Sequence, residues 1–152
     1  MSARPKAVVA WSSGKDSAWA LHEVRQAAEF EVVGLLTTIT DTFERVSMHS
    51  VRERLLDMQA AALELPCHKV RIPSPCSNEV YEARMEDALR SLVGRGVTEM
   101  VFGDLFLEDV RAYRVRQLQG TGITPRFPLW GRNTRELAQE MMRWPKDTPI
   151  IF

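Results

Sequence analysis

The chain predicts an α/β fold of three layers, a five-stranded parallel sheet with helices on both faces, and three observations point there. Short apolar runs alternate with segments of helical period along the whole chain. Two of those runs, Ala7-Val8-Val9-Ala10-Trp11 and Met100-Val101-Phe102, show no polar alternation, as parallel strands covered on both faces require. Strand and helix succeed one another five times, and right-handed crossovers then place the helices on the two sides of one sheet. A chain of 152 residues fits one domain, here residues 1–143 with a tail at 144–152, and buries about two thirds of its unfolded surface.

The first strand is expected at Lys6 to Trp11, and the first helix over Ala18 to Ala28, where Ala20, Leu21, Val24 and Ala28 share one side. Glu31 to Thr40 is rich in β-branched residues and forms the second strand, with Thr37 and Thr38 near its carboxyl end. Asp41 to Ser50 reads as a polar connection. Val51, Leu55, Met58 and Ala62 then mark a helix that stops at Leu65-Pro66. A strand at His68 to Ile72 runs into Pro73-Ser74-Pro75, which breaks regular structure. Tyr81, Met85, Ala88, Leu89 and Leu92 give the next helix, closed by Gly94 and Gly96. Thr98 to Asp104 reads as a buried strand ending in Gly103-Asp104. The helix from Glu108 to Gln119 carries Arg111 and Arg114 on one side and Arg116 on another. A last strand is expected at Thr124 to Trp130, at an edge because of Pro125 and Pro128. Asn133, with Glu136 three residues on, caps a final helix through Leu137, Met141 and Met142.

Lys plus Arg equal Asp plus Glu at 20 each, so no charge imbalance points to nucleic acid or an acidic membrane, and nucleic acid is not an expected partner. No segment approaches the roughly 18 apolar residues of a membrane helix. The amino end shows no signal-peptide core, and a cytoplasmic protein is expected. Cys67 and Cys76 form neither a close pair nor a zinc pattern with His22, His49 or His68, and read as buried free thiols.

The chemistry concentrates between the first strand and helix, in Ser12-Ser13-Gly14-Lys15-Asp16-Ser17. A loop of small residues can turn its backbone N–H groups toward a phosphate, and the following helix adds partial positive charge at the same place. Lys15 adds a full charge, Ser12, Ser13 and Ser17 supply hydroxyl donors, and Asp16 is the candidate ligand for a metal, Mg2+. Asp16 stands where the usual phosphate loop has Ser or Thr, so that pattern fails. The alternative is a helix start capped by Ser12 or Ser13, with Lys15 simply solvated. In an open α/β sheet ligands bind at the carboxyl edge, where Thr37, Thr38, Gly103 and Asp104 are placed to meet a nucleotide; ordinary strand threonines are the competing reading. Gly103 would admit close approach of a ligand, and Asp104 would meet magnesium or a ribose hydroxyl. For the arginines of the following helix a solvated face and phosphate contact both stay open.

The hexapeptide resembles the pyrophosphatase (PP) loop, Ser-Gly-Gly-Lys-Asp-Ser, of the adenine nucleotide alpha-hydrolase superfamily, whose members cleave ATP between its α and β phosphates. Ser13 stands where the first loop glycine is common, a change expected to be tolerated with Ser13 at negative φ. Further along, Met48-His49-Ser50, Leu56-Asp57-Met58-Gln59-Ala60-Ala61-Ala62-Leu63, Gly103-Asp104 before an Arg-rich helix, and Phe127-Pro128-Leu129-Trp130-Gly131-Arg132 occur in order. With the loop they resemble the ATP-binding family that includes the diphthine ammonia ligases, over nearly the whole chain to about Met142. The resemblance implies a Rossmann-like (HUP) fold and a chemistry. ATP adenylates a carboxylate acceptor, pyrophosphate leaves, and ammonia attacks the acyl adenylate to give an amide and AMP. It makes ATP and Mg2+ the cofactors, and Lys15 and Asp16 the catalytic pair. His49, Trp130 and Arg132 become candidate substrate contacts, Arg132 as a carboxylate or phosphate clamp; a helix-start histidine and a core tryptophan are the plainer readings. Gln59, eight residues into the second helix, has two readings, a pocket-facing residue and, as the expected one, a surface amide.

The family continues into a further portion with a Gly-Glu-Phe motif, absent from these residues, so a chain without that portion is expected. That leaves a second reading, an adenine-nucleotide-binding module without turnover. A tRNA-modifying transferase sharing the loop is disfavoured by neutral charge and the lack of a close cysteine pair. The acceptor and the oligomeric state are not legible, a homodimer being one arrangement left open.

Overall fold

Ten elements alternate in the computed structural model, which describes residues 4–41 and 46–143, with side chains described over 4–40 and 53–143. They are β1 (Lys6–Ala10), α1 (Lys15–Ala27), β2 (Glu31–Asp41), α2 (Val46–Leu63) and β3 (Cys67–Pro73), then α3 (Asn78–Gly94), β4 (Val97–Val101), α4 (Glu108–Leu118), β5 (Thr124–Arg126) and α5 (Thr134–Met142). The strands form one sheet in the order β3-β2-β1-β4-β5, and every pairing is parallel. The central β1 buries Ala7, Val8 and Val9 completely, which is why it reads as an unbroken apolar run.

Two apolar layers sandwich the sheet. On one face Leu21 and Val24 of α1, Leu56 and Leu63 of α2 and Leu137 of α5 meet Ala7, Val9, Leu35 and Val101. On the other, Met85, Leu89 and Leu92 of α3 and Leu118 of α4 meet Val8, Leu36, Val70 and Met100. The parity of each strand thus sends alternate residues to opposite layers. At the β5 edge, Arg126 donates Nε and Nη2 to Oε1 of the buried Glu99, at 3.0 and 2.7 Å, and tilts over Phe30. An otherwise costly buried carboxylate is thereby paired.

Among the boundaries that differ from the sequence expectation, three change where a motif lies. The second helix starts at Val46 and takes in the stretch expected as a connection, because a polar opening turn carries no helical period to detect. The fourth strand ends at Val101, leaving Gly103-Asp104 in the following loop. The fifth ends at Arg126, and Phe127 to Arg132 turns instead, with Trp130 N–H on the Phe127 carbonyl and Arg132 N–H on that of Leu129. Pro128, without an N–H, cannot serve a ladder there. Asn133 caps α5 as its spacing predicts, Oδ1 accepting from the N–H groups of Arg135 and Glu136. The tail at 144–152 lies outside the described residues.

Candidate functional site

The loop from β1 to α1 emerges at the carboxyl edge of the sheet, where Trp11 N–H still bonds to the Leu36 carbonyl. Its serines tie the loop together. Ser17, 3% exposed, accepts from Ser12 N–H at 3.1 Å and shares a hydroxyl–hydroxyl bond with Ser12, whose oxygen also accepts from Gly14 N–H. Ser13 sits at φ 69, correcting the expected negative φ: the sharp turn needs a left-handed residue there, and a serine supplies it under strain. Its hydroxyl is buried with no hydrogen-bond partner among the described residues.

α1 begins at Lys15, so the N-cap position falls on Gly14, and no side chain caps the helix. A start capped by Ser12 or Ser13 is therefore not what forms. The first-turn N–H groups receive no side-chain cap, as orphan amides at a helix start otherwise would. Lys15 Nζ lies 2.9 Å from Asp16 Oδ1, both side chains reaching solvent. No cluster of three or more His, Cys, Asp or Glu residues suited to a metal occurs among the described residues. A single exposed carboxylate still fits magnesium, which takes one or two carboxylates and completes its shell with phosphate and water.

Gly103 meets the loop from the side. A Cβ there would lie 2.9 Å from both C and O of Asp16, so its missing side chain makes room for the backbone of α1's first turn, where a ligand's approach was expected. Asp104 accepts from Arg114 Nε at 3.4 Å. Thr37 is buried and Thr38 exposed. Both line a cleft of about 240 Å³ with Trp11 and Ser12 of the loop, Tyr81 and Met85 of α3, Phe102, and Arg114 and Gln117 of α4. On the other side of the loop, Lys15 and Asp16 border an apolar groove of about 370 Å³ floored by Leu105, Leu137 and Met141. A hollow of about 460 Å³ between α3 and α4 is lined by no residue of the β1–α1 loop.

The substrate candidates separate. His49 lies in α2, and its side chain is outside the described residues. Arg132 donates to Glu23 Oε1 at 2.8 Å and to Glu140 Oε2 at 2.6 Å, bonds that hold its pKa above the ordinary guanidinium value. The carboxylates it clamps are the chain's own, on α1 and α5. Trp130 belongs to an aromatic ladder in which Phe102 stacks on Phe127 at 5.5 Å and Phe127 meets Trp130 edge-on at 6.2 Å. Arg114 lies over Phe102 at 4.8 Å, and Arg111 over Trp130 at 4.8 Å. The shared face that their spacing predicts is real, and among the described residues Arg111 has no carboxylate partner.

Two further residues escape the sequence reading. Gln59, expected at the surface, is 3% exposed and accepts the Trp11 indole N–H at 3.0 Å, bracing the base of the loop. Gln117, on α4, lines both this cleft and the hollow between α3 and α4, and its Nε2 is buried without a hydrogen-bond partner among the described residues. Gln59 stands in a motif, but an amide carries no period that tells a buried position from an exposed one, and nothing in the sequence singles out Gln117.

No helix among the described residues is long and apolar enough to cross a membrane. No curated protein matches the chain. A family model described as the diphthamide synthase N-terminal domain matches residues 5–123, from β1 to the turn before β5.

Proposed function

Because the chain belongs to the diphthamide synthase N-terminal domain family, a PP-loop ATP-binding family, we propose that it is an AMP-forming ligase acting on a carboxylate. In this reading a carboxylate oxygen attacks the α-phosphorus of ATP and the bond to the bridging oxygen breaks, releasing pyrophosphate. Ammonia then attacks the acyl carbon, loses a proton, and expels AMP to leave an amide. The observation that carries the reading is the uncapped start of α1 behind a Ser-Gly-Lys-Asp-Ser loop. Orphan amides, the helix dipole and Lys15 all favour negative charge at one point, which is where charge grows as pyrophosphate leaves.

Ser12, Ser17 and Gly14 would hold phosphate oxygens, and Ser13 would set the turn. Thr37, Thr38 and Asp104 would face the nucleoside across the cleft. Asp16 would hold magnesium, which neutralises phosphate charge when bound. Arg111, cationic and without a carboxylate partner, is better placed than Arg132 to meet an anionic acceptor. His49 and Trp130 remain candidates for the acceptor side.

A second reading, a nucleotide-binding module without turnover, is favoured by the Lys15–Asp16 pair, which leaves the loop's main charges facing each other. Incubation of α-labelled ATP and magnesium with the chain, beside a Lys15→Ala variant, separates the two once candidate carboxylates and ammonia are added. AMP that disappears in the variant is expected. ATP that binds yet gives no AMP with any acceptor would favour the module.

A further inference from the structure

α5 has a wider apolar side than the core covers. Thr134, Leu137, Ala138, Met141 and Met142 line the groove of about 370 Å³ at spacings of three, four, seven and eight, so one side of the helix borders it from end to end. Of these five only Leu137 is buried; Ala138 is exposed, and Met142 is 86% exposed. Leu105 adds to the apolar lining, and Lys15 and Asp16 are its only charged members among the described residues. An apolar groove left in water favours whatever covers it.

What covers it follows from where α5 leads. Arg143 is the C-cap of the helix, next to Met142 of the groove, and Trp144-Pro145-Lys146-Asp147-Thr148-Pro149-Ile150-Ile151-Phe152 comes after it, outside the described residues. Pro145 and Pro149 have no N–H and hold the residues before them extended, so this stretch suits a strap rather than a further turn of α5. Four of its nine side chains, Trp144, Ile150, Ile151 and Phe152, are large and apolar. From Arg143 to Ile150 the extended chain reaches about 23 Å, against about 14 Å for the length of α5, so the Ile-Ile-Phe triplet can double back over the whole groove. A space of about 370 Å³, near the low end of pockets for small ligands, takes a few side chains of such a segment. Tethering decides between occupants. A short linker holds its segment at millimolar effective concentration, far above that of a second copy or a separate partner at ordinary protein concentrations. We infer that Ile150-Ile151-Phe152 docks in the groove along α5, covering Ala138, Met141 and Met142 and lying against Leu105. The docking is independent of whether the loop binds ATP.

The test puts a photocross-linking residue, p-benzoylphenylalanine, in place of Phe152 in the full chain and irradiates an equal mixture of unlabelled and heavy-isotope-labelled protein. Cross-links within a single isotope, joining that position to the stretch around Leu105 or around Lys15, both distant from it in sequence, are expected. Ala138→Glu sets a carboxylate on the exposed wall of the groove and should cut their yield roughly 10-fold, since apolar side chains cannot satisfy the charge. Yields unchanged by Ala138→Glu, cross-links only to surfaces outside the groove, or no cross-links at all would overturn the proposal. Products joining the two isotopes would give the groove to a second copy and overturn it as well. Met142→Glu provides the same comparison if melting shows that Ala138→Glu folds poorly.

Discussion

Ser13 holds a left-handed backbone at φ 69 and buries an unpartnered hydroxyl, two costs at one position. Left-handed strain in an L-residue is worth about 1–2 kcal/mol, and glycine returns about 0.5–1 kcal/mol of it as lost chain entropy. Ser13→Gly is therefore expected to stabilise the chain by about 1 kcal/mol, raising Tm by roughly 2–4 °C in thermal unfolding. An unchanged or lower Tm would mean the hydroxyl is satisfied. Gly103→Ala should do the reverse. Its new methyl would strike the backbone of Asp16, which cannot swing aside as a side chain can. A loss of about 1–3 kcal/mol, together with weaker ATP binding as the loop is displaced, is the expected result of melting and titration. Residue types and order mark the hexapeptide as a candidate phosphate loop. The strain at Ser13 was not legible, since φ is decided by where β1 ends and α1 must begin, and neither is written in a serine.

Among elements, Arg132 joins the turn after β5 to α1 and α5 through Glu23 and Glu140. Exposed pairs contribute about 0–1 kcal/mol each, so Arg132→Met should cost about 1–2 kcal/mol while ATP affinity stays within twofold. A large loss of ATP affinity at unchanged Tm would return Arg132 to the site. Hydrophobic period revealed α1, α2, α3 and α5, and apolar runs the inner strands, because each must bury a face; α4, which buries only Leu118, and β5, which buries none of its three residues, show no such pattern. Element ends were less legible: β5 stops at Arg126, whose carbonyl takes the Phe102 N–H, a tertiary bond that no local pattern encodes. The arginines of α4 show the same division. Their common side follows from spacing, but the ring beneath each, Phe102 or Trp130, depends on two loops meeting.

For the whole molecule, one histidine sets a pH dependence. His68 stands against Gly34, 3.0 Å from where a Cβ would be, and burial, then the charge of Arg95, lowers its pKa below 6.5. A lowered folded pKa means the unfolded chain takes up the proton first. Its contribution is thus present above pH 6.5 and lost as pH falls through the folded value. Tm should decline on acidification from pH 7 toward 5, and His68→Gln should flatten the slope; parallel curves would assign the decline elsewhere. The strand order has a consequence in time. β1 is made first and sits in the middle, with β2 on one side and β4 on the other. A chain leaving the ribosome can complete the half-sheet β3-β2-β1 while β4 is still unmade, one flank of β1 bare. Only when β4 arrives does Gly103 come to rest against Asp16. The loop between β1 and α1 is thus synthesised well before the segment that holds it in place.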